Sequence, residues 1–486
     1  MKINVIGSGF SSLAASCYLA KDGHEVVVHE KNGQLGGRAQ QLREHGYVFD
    51  MGPTWYWMPG VFERFFADFG RTPSDYYKLE RLDPAYQVCF EQNQSIQIPG
   101  NLEGIIALFE RIEKGSGKHL TTFMEQARAN YALAVENMVY LPGRSPLELV
   151  NLEALKKAHL FLTNIRKQVG KNIKNEQLRR ILEFPVLFLG AKPQDTPALY
   201  NFMNWADFGL GTWHPKGGMG KVVDAMISLA KELGVTFRTN STVQKICVDN
   251  NKKIRGIETR EGFIPSDVVL SGADYHHTES LLEDDSLKQY SARYWYTRTF
   301  APSALLYYVG FNTEIRHVAH HTLFFDTDFD AHAHDIYDVP KWPKNPLFYC
   351  SFPSKTDASM APKGKEAATF LVPLAPGLPD SASQREHTFA NIISRLEKLT
   401  GQSLEGHIEF KRAFGIKDFI GSYNSYRGNA YGLANTLKQT AFLRPNIQSS
   451  KIENLFFTGQ LTVPGPGVPP ALISGKIAAG EILKRM

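Results

Sequence analysis

An α/β fold built around a dinucleotide-binding unit is predicted by three features of the chain. An apolar strand, a glycine turn and a helix open it. A second strand then ends in an acidic residue, and a Pro/Gly-rich loop leads into a helix at the far end. The 486 residues are material for several domains at roughly 100–200 residues each. Hydrophobic residues make up 43 % and charged residues 21 %, which excludes disorder, collagen and a disulfide miniprotein. Cys17, Cys89, Cys247 and Cys350 are widely spaced and form no Cys-x-x-Cys pair, so a reducing cytoplasm is expected, without a zinc site or disulfide framework. A net charge of +5 over this length does not call for a nucleic-acid partner. Met1 leads directly into KINVIGSG, and no apolar window reaches the ~18 residues of a spanning helix. No targeting or transmembrane segment is therefore expected.

Lys2 to Ile6 reads as the first strand, and Gly7-Ser8-Gly9-Phe10-Ser11-Ser12 as the turn into a helix that ends near Gly23. His24 to Glu30 is the second strand. Gly7 permits the tight turn, and Gly9 lets backbone N–H groups of the helix start approach a pyrophosphate. Glu30, 23 positions beyond Gly7, stands where ribose hydroxyls are gripped, with Lys31 beside it. Ser12 replaces the third glycine of the pattern and is small enough to keep helix and strand close. Gly36-Gly37-Arg38 follows, two glycines for close approach and a guanidinium fork for phosphate. Gly52-Pro53-Thr54 closes the stretch.

With these motifs the sequence resembles the glutathione-reductase-like flavoproteins, in their amine-oxidase and carotenoid-desaturase branch. The resemblance implies FAD as cofactor and a discontinuous Rossmann-type domain formed by residues 1–75, 215–285 and 425–486. A substrate domain with a mixed sheet would take residues 76–214 and 286–424, with a helical lid at about 120–200. The second segment carries the Gly217-Gly218 turn, a helix from Val222 to Leu233 and an apolar strand from Asp267 to Leu270. It is not a phosphate loop of an NTPase, because Val222 follows Lys221 where Ser or Thr is needed. In the third segment a strand from Leu455 to Thr458 leads through Gly459-Gln460 to Gly467-Val468-Pro469 and a helix from about Pro470. The resemblance places Gln460 beside the flavin ribitol. It aims the positive end of this last helix at the flavin edge.

Residues 47–69 hold nine aromatics, among them Trp55-Tyr56-Trp57, expected to line a tunnel for a long apolar ligand. GPTW, LDPAY, PKGGMG, SGADYHHT, GNAYGL and TGQLTVPGPGVPPALISGK together are similar to the bacterial phytoene-desaturase type of carotenoid desaturase, most of all in Bacteroidetes. This likeness implies an FAD-dependent enzyme that introduces C=C bonds into a polyene, phytoene to lycopene, by hydride transfer to flavin N5. Oxygen or a quinone would be the final acceptor. Within the family the alternative is a 1-hydroxycarotenoid 3,4-desaturase. More distant readings are an amine oxidase, a polyene isomerase or an escort protein. Arg144 and Glu148 are the polar candidates for the proton step.

His276-His277, His320-His321, His332 and His334 form no His-x-x-x-His helix pair with a flanking acid, so no metal is expected. Asp326, Asp328 and Asp330 imitate a calcium loop, but Ala331 and Tyr337 stand where its glycine and glutamate belong. Residues 151–183 contain Lys156, Lys157, Arg166, Lys167, Lys171, Lys174, Arg179 and Arg180 among apolar residues. This stretch is read as a basic surface resting on the inner face of a membrane, from which an apolar substrate is collected.

Overall fold

The computed structural model describes all residues except 92–93, 146–147, 149–159, 161–162, 437 and 486, and of 136–137 and 188–189 the backbone only. The opening unit forms as its residue pattern demands. β1 (Lys2–Ile6) and β2 (Glu25–His29) are parallel neighbours, joined by α1 (Phe10–Lys21). They sit within a five-stranded parallel sheet in the order 455–457, 268–271, β1, β2, 236–238. Strands far apart in sequence thus meet side by side, and their carboxyl ends open on one crevice, the usual ligand position in such sheets.

Two further helices flank α1: α2 (Gly220–Glu232) and α3 (Val468–Leu483). The α1–α3 crossing is close because residue 475 is glycine. A Cβ there would stand 2.4 Å from the Ser11 carbonyl oxygen and 2.8 Å from the Ala14 Cβ. The start of α2 is held by Asp50, whose carboxylate accepts from the N–H groups of Met219 (2.8 Å) and Gly220 (3.1 Å) and from Gln41 Nε2 (2.9 Å). Gly217 and Gly218, both at positive φ, make the turn that exposes those donors. This glycine turn serves a helix cap and does not line the cavity described below.

A second, seven-stranded sheet runs in the order 408–414, 303–311, 366–374, 348–351, 321–324, 86–89, 95–98. All neighbours are antiparallel except 321–324 with 86–89. Register places Leu306 opposite Leu371, Leu371 opposite Tyr349, and Tyr349 opposite Leu323. Because side chains alternate along a strand, this cross-strand row belongs to one face. The other face buries Leu305, Tyr307, Phe370 and Val372 against the helix Ala382–Thr400, through Phe389, Ile392 and Leu396. Helical segments run over Ser116–Tyr131, Ile165–Gly170 and Glu176–Glu183, and Ala134 and Val135 of a π-helical turn at Ala132–Met138 stand on the same cavity wall as the row. Among the described residues no helix is long and apolar enough to cross a membrane.

The helix crossing generates a direct test. Gly475→Ala forces α1 and α3 apart against backbone, and the chain should lose roughly 1–3 kcal/mol of stability in denaturant unfolding. Unchanged stability would mean that the crossing is not sterically set.

Candidate active site

A cavity of about 640 Å³ begins between β1, β2 and α1 and continues under the seven-stranded sheet. Its first part is polar and glycine-rich. Gly7, at φ +86°, turns the chain out of β1, and Gly9 caps α1. A Cβ on Gly9 would meet nothing within 4 Å, so the space in front of the α1 N-terminus is open to a ligand. Gly37 packs against this same turn, its Cβ position 3.1 Å from the Gly9 Cα. Phe10, Ser11, Glu30, Lys31 and Gly36 also stand on the wall, as do Gly52, Pro53 and Thr54. Glu30 is fixed by Ser8, accepting from its N (3.1 Å) and its Oγ (2.6 Å), and by the Asn32 N–H (2.9 Å). Lys31 Nζ bridges to the Gly421 carbonyl (2.7 Å) and Asn424 Oδ1 (3.0 Å).

Ser12 lies behind the wall rather than on it. Its side chain fills the space that glycine leaves at position 272: a Cβ there would sit 2.0 Å from the Ser12 Oγ. The third glycine of the fingerprint has in effect moved across the interface, from the helix to the strand end it packs against.

Arg38 is buried. It donates to Ser425 Oγ and to the Asn429 carbonyl (3.5 Å), and lies 5.4 Å from the centre of the Tyr423 ring. Burial draws the guanidinium below its usual range, opposed by Asp274 and Tyr423. Its Nε–H has no partner among the described residues. A buried, unpaired guanidinium donor beside two cavity-lining glycines fits a phosphate oxygen. Gln460 stands next to it. With its amide oxygen toward Arg38 Nη2 and the Gly432 N–H (each 3.2 Å), its NH2 meets the Ala430 carbonyl (3.2 Å). Gly459, Gly467, Val468 and Pro469 complete this end, where the N-terminus of α3 faces the cavity. Two helix N-termini, an acid for ribose and a free arginine donor together form a cradle that fits a dinucleotide. Asp274 also lines it, and Ser425 and Asn429 hold Arg38; the motifs SGADY and NSYRGNAYG carry these residues, but nothing in their spacing marks them.

The second part of the cavity is apolar. Trp55, Trp57, Phe184, Leu187, Phe202 and Met203 line it, with the row Leu306, Leu371, Tyr349 and Leu323 from the sheet. Tyr56 does not belong to this tunnel. It is fully buried on the opposite side, stacked on Phe62 and bonded to the Tyr77 hydroxyl (2.8 Å). In an extended segment the middle residue of three points away from its neighbours, so the run divides two to one. Arg144 does not line the tunnel either; it pairs with Glu481 of α3. Glu148 stands on the wall, but both of its oxygens are engaged by the N–H groups of Gly143 (2.8 Å) and Arg144 (3.1 Å). Its carboxylate holds a turn.

Beside Trp55 lies a group of hydrogen-bonding side chains. Tyr349 Oη is 2.8 Å from Thr54 Oγ1 and 2.6 Å from His321 Nδ1. The His321 ring stacks on Trp55, centroids 4.0 Å apart and planes 10° apart. Burial keeps the His321 and His320 imidazoles neutral, well below the usual histidine range. Burial raises the Tyr349 phenol, against hydrogen bonds from Ser351, Thr54 and Trp55. Farther out His214 pairs with Asp357 (3.2 Å). Burial opposes ionisation of Asp357, yet bonds from His214, the Gly217 N–H and Ser359 outweigh it and hold the carboxyl low.

Arg38→Ala should release the dinucleotide: purified variant should carry far less flavin absorbance than wild type, and equal retention would remove Arg38 from the site. Gly272→Ala should destabilise the fold by roughly 1–3 kcal/mol through overpacking, and adding Ser12→Gly should recover much of it. Additive losses in that cycle would break the link between the two positions.

Comparison with known proteins supplies the family. The model of the flavin containing amine oxidoreductases matches residues 10–483. A carotenoid 3,4-desaturase of Haloarcula japonica is 41 % identical over 99 % of this chain and 98 % of its own. A zeta-carotene-forming phytoene desaturase of Myxococcus xanthus is 32 % identical over 99 % and 94 %, and a 4,4'-diapophytoene desaturase of Staphylococcus aureus 32 % over 100 % and 99 %. In fold the chain is similar to an oxidoreductase from Methanosarcina mazei (TM-score 0.65, 16 % identity, 100 % of both chains) and to putrescine oxidase (TM-score 0.61, 14 % identity, 100 % and 99 %). The chain belongs to the flavin-containing amine oxidoreductase family, among its carotenoid desaturases, and is an FAD-dependent oxidoreductase.

Proposed function

We propose that the protein desaturates a carotenoid, with the 3,4 bond of the polyene as the leading target. The observation that carries this reading is the joining of the dinucleotide cradle to a long apolar tunnel in a single cavity. A polyene is favoured over an amine because the relatives at 32–41 % identity are carotenoid desaturases, whereas putrescine oxidase is 14 % identical. The 3,4 position is favoured because the relative of that activity is 41 % identical, against 32 % for the phytoene-type relatives. Those relatives support phytoene as the second substrate reading.

When bound, FAD supplies the two-electron acceptor that takes hydride from an allylic carbon. Gly7, Gly9, Glu30 and Arg38 would hold its adenosine and phosphate parts, and Gly459, Gln460 and the α3 N-terminus its ring end. Trp55 and Trp57 orient the polyene and exclude water, and their faces favour the positive charge that hydride loss leaves on the chain. Residues 1–75, 215–285 and 425–486 are assigned to the cofactor domain, and 76–214 with 286–424 to the substrate domain. Oxygen or a quinone reoxidises the enzyme.

A carotenoid dissolves only in lipid, so peripheral contact with the inner face of the cytoplasmic membrane belongs to this reading. The basic stretch contributes less charge than its composition promises. Arg166 and Arg180 are engaged by Glu183 and Asp330, and Lys156 and Lys157 lie outside the described residues.

Expression in hosts accumulating either a 1-hydroxylated carotene or phytoene separates the substrate readings. The hydroxylated substrate should gain one double bond, read as a red shift of the extracted pigment. Lycopene formation from phytoene alone would move the assignment to the second reading. Purified protein should also sediment with anionic liposomes at low salt and be released by high salt; failure to sediment would remove the membrane surface from the account.

A further inference from the structure

Desaturation removes a proton as well as a hydride, and neither Arg144 nor Glu148 is placed to take it. We propose that the Tyr349 phenol oxygen accepts the proton lost by the polyene while its own proton passes to Nδ1 of His321. This rests on the desaturase reading above. The C–H bond next to the cationic carbon breaks, its electron pair becomes the second bond of the new C=C, and the proton goes to Tyr349 Oη. The Tyr349 O–H bond breaks as the His321 Nδ1–H bond forms, leaving a neutral tyrosine and an imidazolium. The hydride removed first is the two-electron loss of the substrate, and FAD is its acceptor.

Several observations meet here. Tyr349 lies in the cross-strand row that faces the tunnel and is one of the residues lining the cavity. Thr54, of the loop that follows the cofactor fingerprint, holds the hydroxyl from one side at 2.8 Å, which fixes it where cradle and tunnel join. His321 Nδ1, 2.6 Å away, is the one imidazole nitrogen bonded to it among the described residues. Trp55 lies flat on the same imidazole, an arrangement that favours its cationic form. The resting imidazole is neutral, as a proton acceptor must be. A carbocation is so strong an acid that even a weak buried base suffices. His321 Nε2, buried and without a partner among the described residues, leaves a polar atom that a purely structural role does not explain. His320 (ring centroids 4.4 Å) and His214 (4.7 Å from His320) continue the line of titratable rings away from the cavity.

The test compares FAD-loaded wild type, Tyr349→Phe and His321→Gln on the carotene that wild type desaturates. Phe keeps the ring in the row; Gln keeps a hydrogen-bonding partner for Tyr349 but cannot take a proton. Both variants should retain FAD as wild type does, read by flavin absorbance of the purified protein. Both should lose roughly 100-fold or more in kcat with KM unchanged, the ordinary worth of general base catalysis. Deuterium at the carbon that loses the proton should slow both variants more than wild type. Full kcat in Tyr349→Phe, or a loss confined to KM, would overturn the assignment while leaving the desaturase reading intact. Wild type inactive on every carotene would overturn both.

Discussion

The close crossing of α1 and α3 is the constraint on which the rest of this structure depends. These helices begin some 460 positions apart, at Phe10 and Val468, and each must present its N-terminus to one cavity. That requires their axes to pass almost in backbone contact, which Gly475 permits against Ser11 and Ala14. The same economy of space recurs at the strand ends, where Gly272 yields to the Ser12 side chain. Small residues here serve packing first. The open cradle beside Gly9 and the unpaired Arg38 donor follow from the positions that the packing imposes.

From that cradle the chemistry is governed by which side chains share a face. Antiparallel register brings Leu306, Leu371, Tyr349 and Leu323 into one row, and only the tyrosine interrupts its apolar character. An apolar tunnel tolerates such a hydroxyl only if it is hydrogen-bonded, and Thr54 and His321 meet that need. The polar group therefore sits at the boundary between cofactor cradle and tunnel. It is surrounded by aromatic surface that excludes water and strengthens local electrostatics.

The cofactor half of the site was legible in the sequence because its signals are local. A strand, two glycines, a helix and an acid within 30 residues need no knowledge of tertiary structure, and Gly36-Gly37-Arg38 follows at a short interval. What escaped detection depends on long-range contact. Arg144 finds Glu481, a partner 337 positions away, and so leaves the tunnel. Thr54, His321 and Tyr349 come together across 295 positions of chain, and in sequence the pair His320-His321 suggests only a metal ligand. Tyr56 is a different case. The alternation that sends it to the core is present in Trp55-Tyr56-Trp57 itself, once the segment is extended. The basic stretch shows the limit of counting charge, since Glu183 and Asp330 lie against its arginines.

The central claim is that cradle and tunnel form one oxidising site for a polyene. Anaerobic mixing of the FAD-loaded protein with a detergent-solubilised carotene tests it most directly, with flavin and polyene absorbance followed together. The flavin should bleach as the polyene bands move to the red, one double bond formed per flavin reduced. A flavin that stays oxidised with every carotene but bleaches with an amine would contradict it.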